Sequence, residues 1–230
     1  MTDLVLIPGL NNTKAVWDGV VAALPDVRCH ALDCPVAENV EALADLFLAQ
    51  LPPRFALAGF SFGGYVALAM LEKAPERIER IAMVASNANA DPAAAMPMRQ
   101  KAIAAAEGGG YAEFVAAQAP LSFHASSLQK PELMAVRLRM TQDYGPVRFA
   151  AHLRASIARP DRNAVLQNCH KPVLVVCGDD DRVIPVKLQQ KMADATPGAR
   201  FVLIPEAGHM MPLEKPGELA AALRDWLAAS

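Results

Sequence analysis

Residues 57–70 read LAGFSFGGYVALAM. An apolar run meets a cluster of glycines, a serine sits between two phenylalanines, and the chain resumes with helical spacing. A serine at such a boundary can simply cap the helix. It can also be a reactive hydroxyl on a forced strand-to-helix turn. There, small residues at 59 and 63 let backbone segments approach closely, and the helix start aims N–H groups and a favourable dipole at the site. The rest of the chain separates the two readings.

Working outward, VRCHALD (27–33), FALAGFS (55–61), IERIAMVAS (78–86), PVLVVCGDDD (172–181) and RFVLIPEAGH (200–209) read as strands beside LVLIPG (4–9), whose apolar run is continuous. Continuous runs of this length suit strands buried on both faces. Helical spacing fills the intervals, in AVWDGVVAAL (15–24), NVEALADLFLAQL (39–51), GGYVALAMLEKAP (63–75), KLQQKMADA (187–195) and GELAAALRDWLAA (217–229). In the second of these, Val40, Leu43, Phe47 and Leu51 share one face. Strands alternating with helices predict a doubly wound α/β fold around a mainly parallel sheet of about six strands. From about 87 to 168 the rhythm stops and no strand is legible. We expect a helical cap over 89–168, inserted after the fourth strand into a core made of 1–88 and 169–230, the whole forming one structural domain.

The chain has 230 residues, of which 53% are hydrophobic, and a net charge of −2. This allows one domain with a sizeable core. Neither a basic stripe nor an acidic tail is present, so nucleic acid and anionic membranes are not expected partners. No apolar run reaches the roughly 20 residues of a membrane span. The opening MTDLVLIPGL reads as a first strand rather than a signal peptide, lacking a basic start and a small-residue cleavage site. Cys29, Cys34, Cys169 and Cys177 form no CxxC pair and read as reduced thiols. Their spacing and the lack of a histidine pair argue against zinc. A cytoplasmic protein without cofactor or metal is expected.

In a parallel sheet all C-terminal strand ends share one edge, where ligands bind. Four polar turns of this chain fall at such ends: Pro8-Gly9-Leu10-Asn11-Asn12, Gly59 to Gly64, Gly178-Asp179-Asp180-Asp181 and Ala207-Gly208-His209. That convergence favours chemistry for Ser61. A serine hydroxyl is a weak nucleophile until a base takes its proton. His209 can be that base, and Asp181 can orient and stabilise the imidazolium, with Asp179 and Asp180 as alternatives or solvated loop charges.

The pattern resembles the α/β-hydrolase family over nearly the whole chain. GFSFGG matches the nucleophile elbow, GDDDRVIP the acid turn and AGHMMPLEKP the histidine loop, in the family's order Ser61, Asp181, His209. The family's G-x-x-D-x-x-x-P turn, bracketed here by Gly178 and Pro185, places the acid at Asp181. The likeness is nearest to small esterases and lactonases, which often carry a PGL…W opening. Many members have His-Gly where this chain has Pro8-Gly9. The oxyanion donors implied are the backbone N–H groups of Leu10 and Phe62, so the change at 8 leaves them in place. The family's usual antiparallel N-terminal pair is missing from these strands, which predicts a trimmed six-stranded sheet.

Asn11, Phe60, His124 and Met210 are the candidate pocket residues. Asn11 and its neighbour Asn12 serve equally well as turn formers, and Met210 and Met211 follow His209 directly. His152 shares a helix face with Arg148 and Arg159 and reads as solvated. His30 lies within a strand and reads as structural, while His170 lies at the opposite edge. The function implied is hydrolysis of a small, mostly apolar carboxylic ester, with lactones and thioesters as variants. Carbon–carbon bond hydrolysis, acyl transfer and perhydrolysis use the same triad, and a ligand receptor can be built on the same fold.

Overall fold

The computed structural model describes residues 3–229. One sheet contains β1 (Asp3–Ile7), β2 (Arg28–Ala31), β3 (Phe55–Phe60), β4 (Ile78–Val84), β5 (Val173–Gly178) and β6 (Arg200–Ile204). The order is β2-β1-β3-β4-β5-β6, and every neighbouring pair is parallel. The chain steps outward from β1 to β2, then returns to lay β3 on the other side of β1. That reversal opens a crevice at the C-terminal ends of β1 and β3.

Period-2 alternation sorts each strand onto two cores. Val5, Ile7, Leu57, Ile81, Met83 and Val175 face α2 (Val40–Gln50) and α3 (Phe62–Lys73). Leu4, Leu6, Ala58, Phe60, Val84 and Val176 face Trp17, α1 (Asp18–Ala22) and α11 (Pro216–Ala228). All twelve strand residues are fully buried, each large aliphatic one worth about 1.5–3 kcal/mol. The α2 helix starts where Asn39 Oδ1 accepts the Ala42 N–H at 2.7 Å. The small residues of α3 let it bury every side chain from Phe62 to Leu71.

Between β4 and β5 run only helices: a 3-10 turn (Ala93–Ala95), α4 (Met96–Glu107), α5 (Tyr111–Ala117), α6 (Ala119–Ser122), α7 (Pro131–Ala158) and α8 (Asn163–Gln167). Tyr111, Val115, Tyr144, Phe149 and Leu153 give this segment a small core of its own. Sequence periodicity reads straight through one feature. At Gly145 (φ 76°, ψ 161°) the backbone leaves the helix and Pro146 starts it again, so α7 is two helices joined at a kink. The chain finishes with α9 (Val186–Asp194), α10 (Met211–Glu214) and α11. Among the described residues no helix is long and apolar enough to cross a membrane.

Candidate active site

Four non-glycine residues among those described have positive φ: Asn11 (60°), Ser61 (50°), Ala85 (45°) and Glu206 (54°). They follow β1, β3, β4 and β6, all at the C-terminal edge of the sheet. Such conformations cost on the order of 1–3 kcal/mol each and persist only where the surroundings impose them. Ser61 shows how. Its N–H donates to Val84 O at 2.9 Å, and its carbonyl accepts from Ser86 Oγ at 2.8 Å and Gly64 N at 2.9 Å. The serine occupies the N-cap position of α3, yet its side chain caps nothing. The hydroxyl points elsewhere, which disposes of the capping reading.

The turn is tight because two backbone segments touch. A Cβ on Gly63 would stand 2.3 Å from Ile7 O, and one on Gly59 would stand 2.4 Å from Gly63 O. Neither obstacle is a flexible side chain. Gly63→Ala must therefore push α3 away from the end of β1. We expect a loss of several kcal/mol in urea unfolding, beyond the roughly 1–3 kcal/mol of ordinary overpacking, with most of the soluble yield lost.

Ser61 Oγ lies 2.9 Å from His209 Nε2, and His209 Nδ1 lies 2.9 Å from Asp181 Oδ2 and 3.1 Å from Oδ1. The Asp181 side chain is fully buried and that of His209 is 8% exposed. Every other partner of Asp181 is a donor. Oδ1 accepts from Val183 N (3.0 Å) and Ile184 N (2.9 Å), and Oδ2 accepts from Gln189 Nε2 (3.0 Å). That donor set matches the acceptor-only character of a carboxylate. Asp179 and Asp180 are occupied otherwise. Asp179 accepts from Ala207 N, and Asp180 pairs with Arg182 at the surface. The His209 loop is pinned by Glu214, a buried carboxylate that accepts Gly208 N at 3.0 Å and His124 N at 2.8 Å. Burial raises the Glu214 pKa even though those N–H groups pull it down. This clamp lies inside AGHMMPLEKP but has no local signature that marks its role.

The N–H groups of Leu10 and Phe62 make no hydrogen bond among the described residues, and both residues line the same cavity as Ser61. Phe62 is the first residue of α3, where an N–H has no intrahelical partner. Its ring stacks on His152, with centroids 4.8 Å apart and planes at 20°. This corrects the solvated reading of His152, which is fully buried. Its Nε2 donates to Pro35 O at 2.8 Å, and its Nδ1 accepts the Tyr144 hydroxyl. Burial, with a contribution from Arg148, lowers its pKa to about 4 against the Pro35 bond. Below about pH 6.5 the unfolded chain then takes up a proton that the folded chain refuses, so this group's contribution to stability falls as pH drops, levelling near pH 4. The loss is about 2 kcal/mol by pH 5. Urea unfolding between pH 7.5 and 5 should show a flatter profile for His152→Gln than for wild type.

A cavity of about 690 Å³ lies between the inserted helices and the sheet edge, with Ser61 and His209 in its wall beside Asn11 and Met210. Met98, Phe114, Leu121 and Phe149 form much of its apolar lining. Two pocket expectations fail. Phe60 is outside the lining because strand alternation turns it to the Trp17 side, where it packs beneath the His209 ring at 5.3 Å. His124 is outside it because its ring turns outward to Ser126 Oγ at 2.7 Å. Met211 also leaves the site and packs fully buried in the second core. The Asn11 amide bonds to the inserted helices. Its Nδ2 donates to Thr141 Oγ1 at 3.0 Å, and its Oδ1 accepts the Tyr111 hydroxyl. Asn12 Nδ2 donates to Leu10 O at 2.8 Å and holds the turn. Among the described residues no cluster of three or more His, Cys, Asp or Glu converges to hold a metal ion.

A parallel α/β sheet with a strained serine turn and a hydrogen-bonded Asp–His–Ser run at its C-terminal edge defines a class of α/β proteins. The sequence model of the Alpha/beta hydrolase family matches residues 4–222, and the chain belongs to that family. It is 26% identical over 238 residues to a pimeloyl-[acyl-carrier protein] methyl ester esterase of Nitrosomonas europaea, covering 90% of this chain and 88% of that one. A protein of the same name from Photobacterium profundum is 27% identical, covering 98% and 94%. Among solved structures, a thermophilic esterase from Thermogutta terrifontis superposes with a TM-score of 0.92 at 26% identity, covering 99% of this chain and 89% of that one. The enol-lactonase of Burkholderia xenovorans gives 0.87 at 23% identity, covering 99% and 92%, a likeness of fold.

Proposed function

We propose that the chain is a serine hydrolase of carboxylic esters. The observation that carries the reading is the hydrogen-bonded run from Asp181 through His209 to Ser61 Oγ, held on a strained turn in the wall of a cavity. His209 Nε2 takes the Ser61 proton as Oγ attacks the ester carbonyl. The N–H groups of Leu10 and Phe62 receive the developing oxyanion, each such donor being worth about 10²–10³ in rate. His209 then protonates the departing alcohol, leaving Ser61 acylated. A water molecule enters, loses a proton to His209 and attacks the acyl carbon, and the acid leaves as Ser61 recovers its proton. Asp181 keeps the Nδ1–H tautomer in place and stabilises the imidazolium throughout.

The esterase names of the relatives support ester over other bonds, and the apolar lining supports a substrate that is small and mostly apolar. The helices of 89–168 act as a cap that sequesters the reaction from water. Initial rates on nitrophenyl esters from acetyl to dodecanoyl test the reading. Turnover peaking at one chain length, and lost in Ser61→Ala, is the expected result. A fluorophosphonate should label the peptide containing Ser61 and stop that turnover stoichiometrically. Turnover indifferent to Ser61 would overturn the assignment.

A further inference from the structure

One end of the cavity is not apolar. Asp91, Arg99 and Arg159 line it together, and a third arginine, Arg137, lies elsewhere in the wall. Asp91 is the sole acidic residue of that lining. Its side chain is 2% exposed and bridges two cations: Arg99 Nε and Nη2 at 3.0 and 3.1 Å, and Arg159 Nη1 at 2.8 Å. Burial alone would raise the Asp91 pKa, but the bonds and charges of the two arginines outweigh it and hold it low. One negative charge therefore answers two positive ones. Arg159 is itself 4% exposed, tied to Asn89 O and Ser156 O, and its guanidinium lies 4.0 Å from the Tyr65 ring centre. Arg99 Nη1 and Arg159 Nη2 have no partner among the described residues, nor are they among the polar atoms sealed from solvent without one. Arg137 adds a further positive charge over the Phe123 ring, with Nη2 bound to Val115 O.

A planar guanidinium with a spare edge in a low-dielectric cavity is a receptor for a carboxylate. The residual charge of about one at the Asp91 cluster matches one carboxylate better than a phosphate dianion. Its position relative to the serine is set by α3. Tyr65, under Arg159, is one helical turn beyond Ser61, a rise of about 6 Å. Ser61, Arg99 and Arg159 line one cavity, so a single bound substrate can touch all three.

We propose that Arg99 and Arg159 bind a free carboxylate carried by the substrate, so that the ester cleaved at Ser61 is a half-ester of a short dicarboxylic acid. The inference rests on the hydrolase reading and narrows its substrate class. The chain between the two ends of the substrate lies on the apolar wall, and hydrolysis adds water across the ester to give the dicarboxylate and an alcohol.

The test compares monomethyl esters of malonic to suberic acid with the neutral methyl esters of matching length, in wild type, Arg99→Gln and Arg99→Lys. Arg99 is the right position because Asp91 keeps Arg159 when it is lost, so no buried carboxylate is left unpaired. Wild type should prefer one half-ester over its neutral match by about tenfold or more in kcat/KM, the scale of one charge-assisted contact. That ratio should fall by about tenfold in Arg99→Gln and recover in part in Arg99→Lys. A wild type that hydrolyses neutral esters through Ser61 but disfavours half-esters overturns the carboxylate site and leaves the hydrolase intact, as does a ratio unmoved by Arg99→Gln. Absence of any Ser61-dependent turnover overturns the hydrolase reading. Titration calorimetry of Ser61→Ala with monomethyl glutarate against the neutral dimethyl glutarate decides the binding site independently of turnover. Equal affinity for the two overturns it.

Discussion

Ser61→Ala is expected to lower kcat on a good nitrophenyl ester by about 10⁶, the scale of nucleophile loss in serine hydrolases, leaving only what the oxyanion donors and binding provide. The reason is geometric. Among the described residues no other hydroxyl lies within hydrogen-bond distance of His209 Nε2, so the base has nothing else to activate. Stability should behave differently. Ser61 sits at φ 50°, ψ −114°, a conformation that a Cβ disfavours. Alanine keeps that Cβ and should unfold within about 0.5 kcal/mol of wild type. Ser61→Gly removes it and should be more stable than Ser61→Ala by about 1 kcal/mol, at the same loss of rate. Rates and urea unfolding of the two variants side by side make the check. Retention of about a hundredth of the wild-type rate in either would refute the nucleophile, and an unmoved stability in Ser61→Gly would refute the strain.

The strands were legible because burial on both faces leaves unbroken apolar runs such as Leu4 to Ile7. The serine turn was legible because Gly59 and Gly63 stand where no Cβ fits. What escaped was set by contacts distant in sequence. The Asn11 amide meets Tyr111 and Thr141, 100 and 130 residues away, and no local pattern announces that. The solvated reading of His152 fails for a definite reason. Its companions Arg148 and Arg159 suggest a solvated face, but Arg159 is buried against Asp91 and Tyr65. A charge marks solvent only when it has no partner in the adjoining layer. Phe60 was within reach of the sequence, since its parity matches Ala56 and Ala58 and so turns it away from the crevice. The kink at Gly145 was too, because Gly-Pro inside a helical run favours a break.

Asp181→Asn should lower kcat by about 10⁴, as expected when the base is held in the wrong tautomer, and here it should also unfold more readily. Both carboxylate oxygens face donors only. Oδ1 meets Val183 N, Ile184 N and His209 Nδ1, while Oδ2 meets Gln189 Nε2 and His209 Nδ1. An asparagine side chain must place an NH₂ at one of the two positions. Put at Oδ1, it confronts two backbone N–H groups. Put at Oδ2, it confronts the Gln189 amide, whose Nε2 is already committed to Ile184 O at 2.7 Å. Flipping that amide would turn Gln189 Oε1, which has no partner among the described residues, toward the substituted side chain but would forfeit the Ile184 bond. The second placement is thus the less costly, and it offers His209 Nδ1 an N–H instead of an acceptor. The imidazole answers by moving its proton to Nε2, where it can no longer take one from Ser61. A cost of about 1–3 kcal/mol follows from the buried donor left facing a donor. Gln189→Glu combined with Asp181→Asn returns an acceptor to that side but turns a carboxylate oxygen toward Ile184 O, where Nε2 had donated, so the double variant should regain at most part of the stability and none of the rate. Recovery of rate in the double variant would show that the carboxylate's charge, rather than its hold on the tautomer, is what His209 requires.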